Sequence, residues 1–123
     1  MKVTWIYTGS DGRSHLAGLD IPMHAVPIGT ASDAIPGGRV LFRASPEGIN
    51  DFHVAPMRQF VVHLTGVTEV ECGDGSKAHF TAGDILLADD TTGEGHVTRG
   101  IGGPRSSMQI GVPADFDVAR WKV

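Results

Sequence analysis

Cysteine is almost missing from this chain. Cys72 stands alone among 123 residues, which excludes an internal disulfide and fits a reducing compartment. Positive charge is scarce as well. Ten basic residues face 14 acidic ones, the net charge is −4, and no basic run is present to neutralise a row of phosphates, so nucleic acid is not an expected partner. No apolar stretch approaches the roughly 18 residues of a membrane helix, and no charged-then-apolar leader opens the chain. The expectation is a cytoplasmic protein with no membrane partner. Long uninterrupted segments are also lacking: 17 glycines and 7 prolines are scattered throughout, leaving little room for three-turn helices.

What remains is a chain of short strands. "VTWIYT" (3–8), "RVLFRA" (39–44), "RQFVVHL" (58–64), "VTEVEC" (67–72), "KAHFTA" (77–82), "DILLA" (84–88), "HVTR" (96–99) and "SMQIGV" (107–112) are β-branched or alternating, and turn residues bound each. "CGDGSK" (72–77) reads as a hairpin that sets Glu69 and Glu71 near Lys77 and His79 across the ladder. The tail "PADFDVARWKV" (113–123) has room for one short helix, with Trp121 sealing an end of the core or a subunit contact. One domain spans 1–123. This turn density predicts an all-β sandwich or jelly-roll barrel, in which inward polar side chains matter most.

Period-two alternation from 53 to 64, with a kink at Pro56, puts His53, Ala55, Gln59, Val61 and His63 on one face. By the same parity His96 and Thr98 share a face, with Val97 and Arg99 opposite.

Here the chain resembles the cupins, whose first motif runs Gly, five residues, His-x-His, three or four residues, Glu or Gln, six residues, Gly. Gly48 stands one residue short of that spacing, His53 takes the first histidine position, Ala55 replaces the second, Gln59 follows, and Gly66 closes. The second motif has its counterpart in "GDILLADDTTGEGH" (83–96), with Gly83, Asp84 and His96, a longer turn without proline, and Gly100 where the family often has asparagine. The resemblance covers residues 48 to 100 and implies a small single-domain jelly-roll β-barrel. It also implies a divalent Zn, Mn, Ni or Fe ion held by His53, Gln59 and His96. Ala55 offers no ligand and the Gln59 amide carries no charge, so such a site is weak, and oxygen chemistry at iron, which calls for a carboxylate, is disfavoured.

Other residues have two readings. His63, about 13 Å of strand beyond Gln59, is either a core histidine bonded to a neighbouring strand or a general base deeper in the cavity. His15, after the turn in "YTGSDGRSHLAG" (7–18), closes a pocket or is a solvated loop residue, and Ser14 beside it has no orienting acid for a nucleophilic triad. Arg43 points into the cavity to bind a carboxylate, or lies exposed across a strand. Val61, Thr98 and Ala55 fall on the pocket wall. His24 and His79 read as surface residues. Asp89, Asp90, Thr91 and Thr92 form a polar turn that lines the entrance or simply turns the chain, and "GEG" (93–95) gives that loop freedom to move or merely lets the chain turn. No glycine cluster follows a strand and opens a helix, so no nucleotide is expected. The leading function is binding of a small organic molecule with non-redox lyase, isomerase or cyclase chemistry, with His53, Gln59, His96 and His63 as the catalytic set. The alternative is a non-catalytic sensor or storage module. A homodimer is expected from exposed strand edges and from the resemblance.

Overall fold

The computed structural model describes all 123 residues. It is nearly all β, with 57% of residues in strands and no α-helix. The strands are β1 (Lys2–Thr8), β2 (Ser14–Asp20), β3 (His24–Ala25), β4 (Thr30–Ala31), β5 (Val40–Ser45), β6 (Gly48–His53), β7 (Gln59–Cys72), β8 (Lys77–Phe80), β9 (Ile85–Asp89) and β10 (His96–Gly111). A single 3₁₀ turn, Ala119–Trp121, occupies the tail. Eight strands form one mixed sheet in the order β2-β1-β9-β7-β10-β5, with β8 added to β7 and β6 to β10; β1 and β9 run parallel. The sheet does not close on itself. No helix is long and apolar enough to cross a membrane.

Two long strands organise everything else. The first part of β7 pairs with β9 (Gln59 opposite Ala88) and its last part with β8 (Glu71 opposite Lys77). Likewise β10 pairs with β6 at its start and with β5 at its end. Both strands bend midway, so the half-sheets they share turn toward one another. The bend has a local cause. Gly66 sits at φ +78°, and a Cβ there would lie 2.5 Å from the Pro104 carbonyl oxygen, while β10 bulges between Ile101 and Ser106. Two segments of β7 separated by an apparent breaker, and two of β10 separated by "GIGGP", are therefore single bent strands. The 72–77 hairpin forms as its turn residues dictate, with Glu69 opposite His79 and Glu71 opposite Lys77.

Alternation splits the core in two. On one face of β1 and β9, Val3, Trp5 and Leu87 join Leu19, Ile21, Val112, Val118 and Trp121, so the C-terminal segment covers that face. On the other, Ile6, Leu86 and Ala88 pack inward with Ala55, Val70, Cys72 and Phe80. Leu19 and Leu87 are fully buried, and each contributes about 1.5–3 kcal/mol. By contrast β5 and β6 are exposed for nearly their whole length, and Val40, Phe42, Ile49 and Phe52 face solvent in the single chain.

Candidate functional site

A cavity of about 160 Å³ lies inside the bend. Strands β5, β6, β7, β9 and β10 all supply its wall. His53, Ala55, Gln59, Val61 and His63 line it together, although the chain between His53 and Gln59 leaves one strand and starts the next. Arg43, His96 and Thr98 line it as well. A second hollow of about 280 Å³, beside Phe116 and Trp121, is otherwise lined by apolar residues, the exposed His24–Asp33 pair and Arg120.

His53 and His96 meet in the cavity wall. They are directly opposite in the β6–β10 ladder, with ring centroids 4.6 Å apart. Gly95 makes this closeness feasible: at φ +75° it presses against the His53 carbonyl, where any Cβ would collide. The "GEG" loop is thus packed rather than free. His96 Nδ1 donates to Asp90 Oδ2 at 2.5 Å, and Asp90 is fully buried with its Oδ1 unpartnered. His53 Nδ1 is 2.8 Å from the Asp51 carbonyl, which can only accept, so this nitrogen carries the proton. In neutral rings both histidines then present a bare Nε2.

Asp90 was legible only as part of a polar turn. The structure instead continues the β9 alternation: Asp89 follows Leu87 toward the outer core, and Asp90 follows Leu86 and Ala88 inward. Asp90 also holds the chain after His53, because its carbonyl accepts from Ala55 N–H at 3.0 Å.

His63 takes the bonded-core position. Its Nδ1 donates to the Asp84 carbonyl at 3.0 Å, and its ring stacks on Phe80 with centroids 4.9 Å apart. Burial holds its pKa below the usual histidine value, although Asp84 pulls the other way. It still lines the cavity, in the same cross-strand row as Ser107 and Arg43.

The donor set does not fit a resident metal of the kind the resemblance implies. Gln59 is buried in the wall but neutral, Ala55 has no donor, and no three histidine, cysteine or acidic side chains gather closely enough to hold an ion. The one nearby carboxylate, Asp90, is engaged behind His96.

His15 does not line the cavity. It lies outside on β2, with Nε2 3.0 Å from Asp11 and Nδ1 3.1 Å from Asp74, and Asp11 above all raises its pKa. An imidazole between two carboxylates is drawn to the surface charge rather than to the cavity. Ser14, beside it, is a buried stitch: it donates to the Gly95 carbonyl at 2.7 Å and accepts from Gly73 N–H at 2.8 Å. Burial pushes the Cys72 thiol up, away from the reactive thiolate.

The residue missed entirely is Arg105. It lines the cavity in alternation with Ser107 and Gln109, but "GIGGP" before it obscured the strand. Its Nη1 donates to Thr68 Oγ1 at 3.3 Å, and its buried Nε has no partner. Burial first, and then Arg43, lower its pKa.

Compared with protein-family models and with curated proteins, the chain matches none.

Proposed function

We propose that this protein is a cupin-like jelly-roll whose cavity binds a small organic molecule and moves a proton on it, in lyase, isomerase or cyclase-type chemistry without redox change. The observation that carries this reading is the buried Asp90–His96 pair with the His53 ring 4.6 Å from His96. Two half-sheets sharing long bent strands, with the two motif histidines adjacent, support the jelly-roll assignment.

The roles follow from the hydrogen bonds. His96 Nε2 accepts a proton from the bound molecule, and the imidazolium so formed keeps donating Nδ1–H to Asp90, whose negative charge stabilises it. Asp90 is a positioning residue. His53 has only a neutral carbonyl behind its Nδ1, so it is the poorer acceptor. As the imidazolium, with a proton on Nε2 as well as on Nδ1, it serves as the donor, delivering the Nε2 proton elsewhere on the same molecule and regaining one from solvent as His96 releases its own. A proton removed at one atom and one delivered at another balance as isomerisation or elimination. Gln59, buried in the wall, orients the substrate through its amide.

The test is solvent labelling. A panel of small polar metabolites incubated with the protein in D₂O, followed by proton NMR, should show loss of at least one C–H signal. His96→Gln should slow that loss by about 10²-fold or more. If the wild type labels nothing, or the variant labels as fast, the acid–base reading fails and a non-catalytic binding module remains.

A further inference from the structure

The charge of the cavity is opposite to that of the protein. Among its 19 lining residues are two arginines and three histidines but no aspartate or glutamate, in a chain of net charge −4. Two arginines elsewhere are matched: Arg58 holds Asp89 at 2.8 Å, and Arg99 holds Glu69 and Glu71 at 3.1 and 2.8 Å. Arg43 and Arg105 have no acidic partner, and they face the same space. Both line one cavity, Arg43 exposed and Arg105 half-buried with an unbonded Nε, and an anion between them would satisfy that nitrogen and offset their repulsion.

Resting on the reading that this cavity is the ligand site, we propose that its ligand is a small carboxylate, with the anionic end between Arg43 and Arg105 and the reacting end at His53 and His96. Planar guanidinium forks match a carboxylate, and the Ser45, Ser106 and Ser107 hydroxyls supply further donors beside them. A phosphate group is the poorer fit, since it is usually cradled by free backbone N–H groups, and the wall here is a β ladder whose N–H groups are largely used within the sheet.

Size and length agree. A cavity of about 160 Å³ is close to one that accommodates a benzene-sized molecule. The Arg105 guanidinium bonds at Thr68, whereas His96 stands opposite Cys72, four strand positions or about 13 Å further along β7. A hydrogen bond of about 3 Å at each end leaves about 7 Å, the length of a five- or six-atom chain.

The inference is tested by NMR titration of the isotope-labelled protein with butanoate and benzoate, their neutral amides, and inorganic phosphate. The acids should saturate with shifts at cavity residues, and bind at least tenfold more tightly than the amides or phosphate. Arg105→Gln and, separately, Arg43→Gln should each weaken the acids at least tenfold and erase the preference over amides. Circular dichroism checks that each variant is folded, and Arg43, the more exposed, is the safer of the two. The proposal is overturned if neither acid binds at tens of millimolar, if amides or phosphate bind as well as acids, or if folded Arg43→Gln keeps wild-type affinity. Labelling by the wild type separates the two ideas. Absent labelling with carboxylate binding intact sinks only the acid–base reading, and an absent carboxylate preference with labelling intact sinks only this one.

Discussion

Two adjacent aspartates at the end of β9 enter opposite regions of the molecule. Asp89 meets the outer core, where it accepts from Trp5 Nε1 at 3.0 Å and from Arg58 Nε and Nη2 at 2.8 and 3.2 Å. Arg58 in turn donates Nη1 to the Pro113 and Phe116 carbonyls, at 3.1 and 2.6 Å, and so clasps the C-terminal segment onto the sheet. Asp90 lies buried behind the cavity wall, where one oxygen holds His96 and the other holds nothing. Both are carboxylates with little or no exposure. The difference is satisfaction: a saturated buried charge fixes a structure, whereas the undersatisfied Asp90 has only the His96 imidazole to stabilise.

That contrast is open to direct attack, and the largest expected effect is on the saturated side. Arg58→Ala strips Asp89 of its counter-ion while leaving it buried, and should cost about 3 kcal/mol in urea denaturation. A loss below about 1 kcal/mol would mean that the clasp is ornamental. On the cavity side Asp90→Asn should reverse the balance. The neutral amide sheds the desolvation cost of the carboxylate and still offers an oxygen to His96, at the expense of an unpartnered N–H, so stability should change by about 1 kcal/mol or less. Proton transfer should nonetheless fall at least tenfold, because the His96 imidazolium loses its compensating charge. A variant that unfolds yet retains labelling would exchange the roles assigned to the two aspartates.

The same contrast explains what the sequence disclosed. Apolar alternation in β1, β7 and β9 is a local signal, so the strands and the shared face of His53, Ala55, Gln59, Val61 and His63 were readable. His53 and His96 were readable as a pair only through the motif resemblance. Residues whose role depends on a distant strand were not. Asp90 resembles Asp89 in sequence, and only the partner across 31 residues, Arg58, or across six, His96, tells them apart. Gly66 and "GIGGP" look like strand ends; they are the bend, and beyond it Arg105 acquires its inward direction from pairing with β5. In β2, the alternation of "SHLAGLD" is weakened by Gly18, and the turn before it suggested a loop.

The smallest effects come from protons, and they differ in sign between inside and outside. His63 is buried in the cavity wall with Phe80 against its ring, the Asp84 carbonyl on Nδ1 and Arg105 nearby, and burial holds its pKa below the usual 6.5. The unfolded chain therefore binds the extra proton first. The stability owed to neutral His63 is complete above about pH 6.5 and is lost as pH falls through that value toward the folded one. His15 is the reverse: Asp11 and then Asp74 raise its pKa above 6.5, so its contribution is complete below 6.5 and is lost as pH rises through the folded value. Being near the surface, it should also fade with salt, which the buried site should not. Urea midpoints measured from pH 5 to 8 should show His63→Gln flattening the acid limb at any ionic strength. His15→Gln should flatten only the limb above 6.5, and only at low salt. Should His15→Gln instead alter the acid limb, its carboxylate partners are not holding the proton, and the division between a wet outer pair and a dry inner site would fail at its most exposed point.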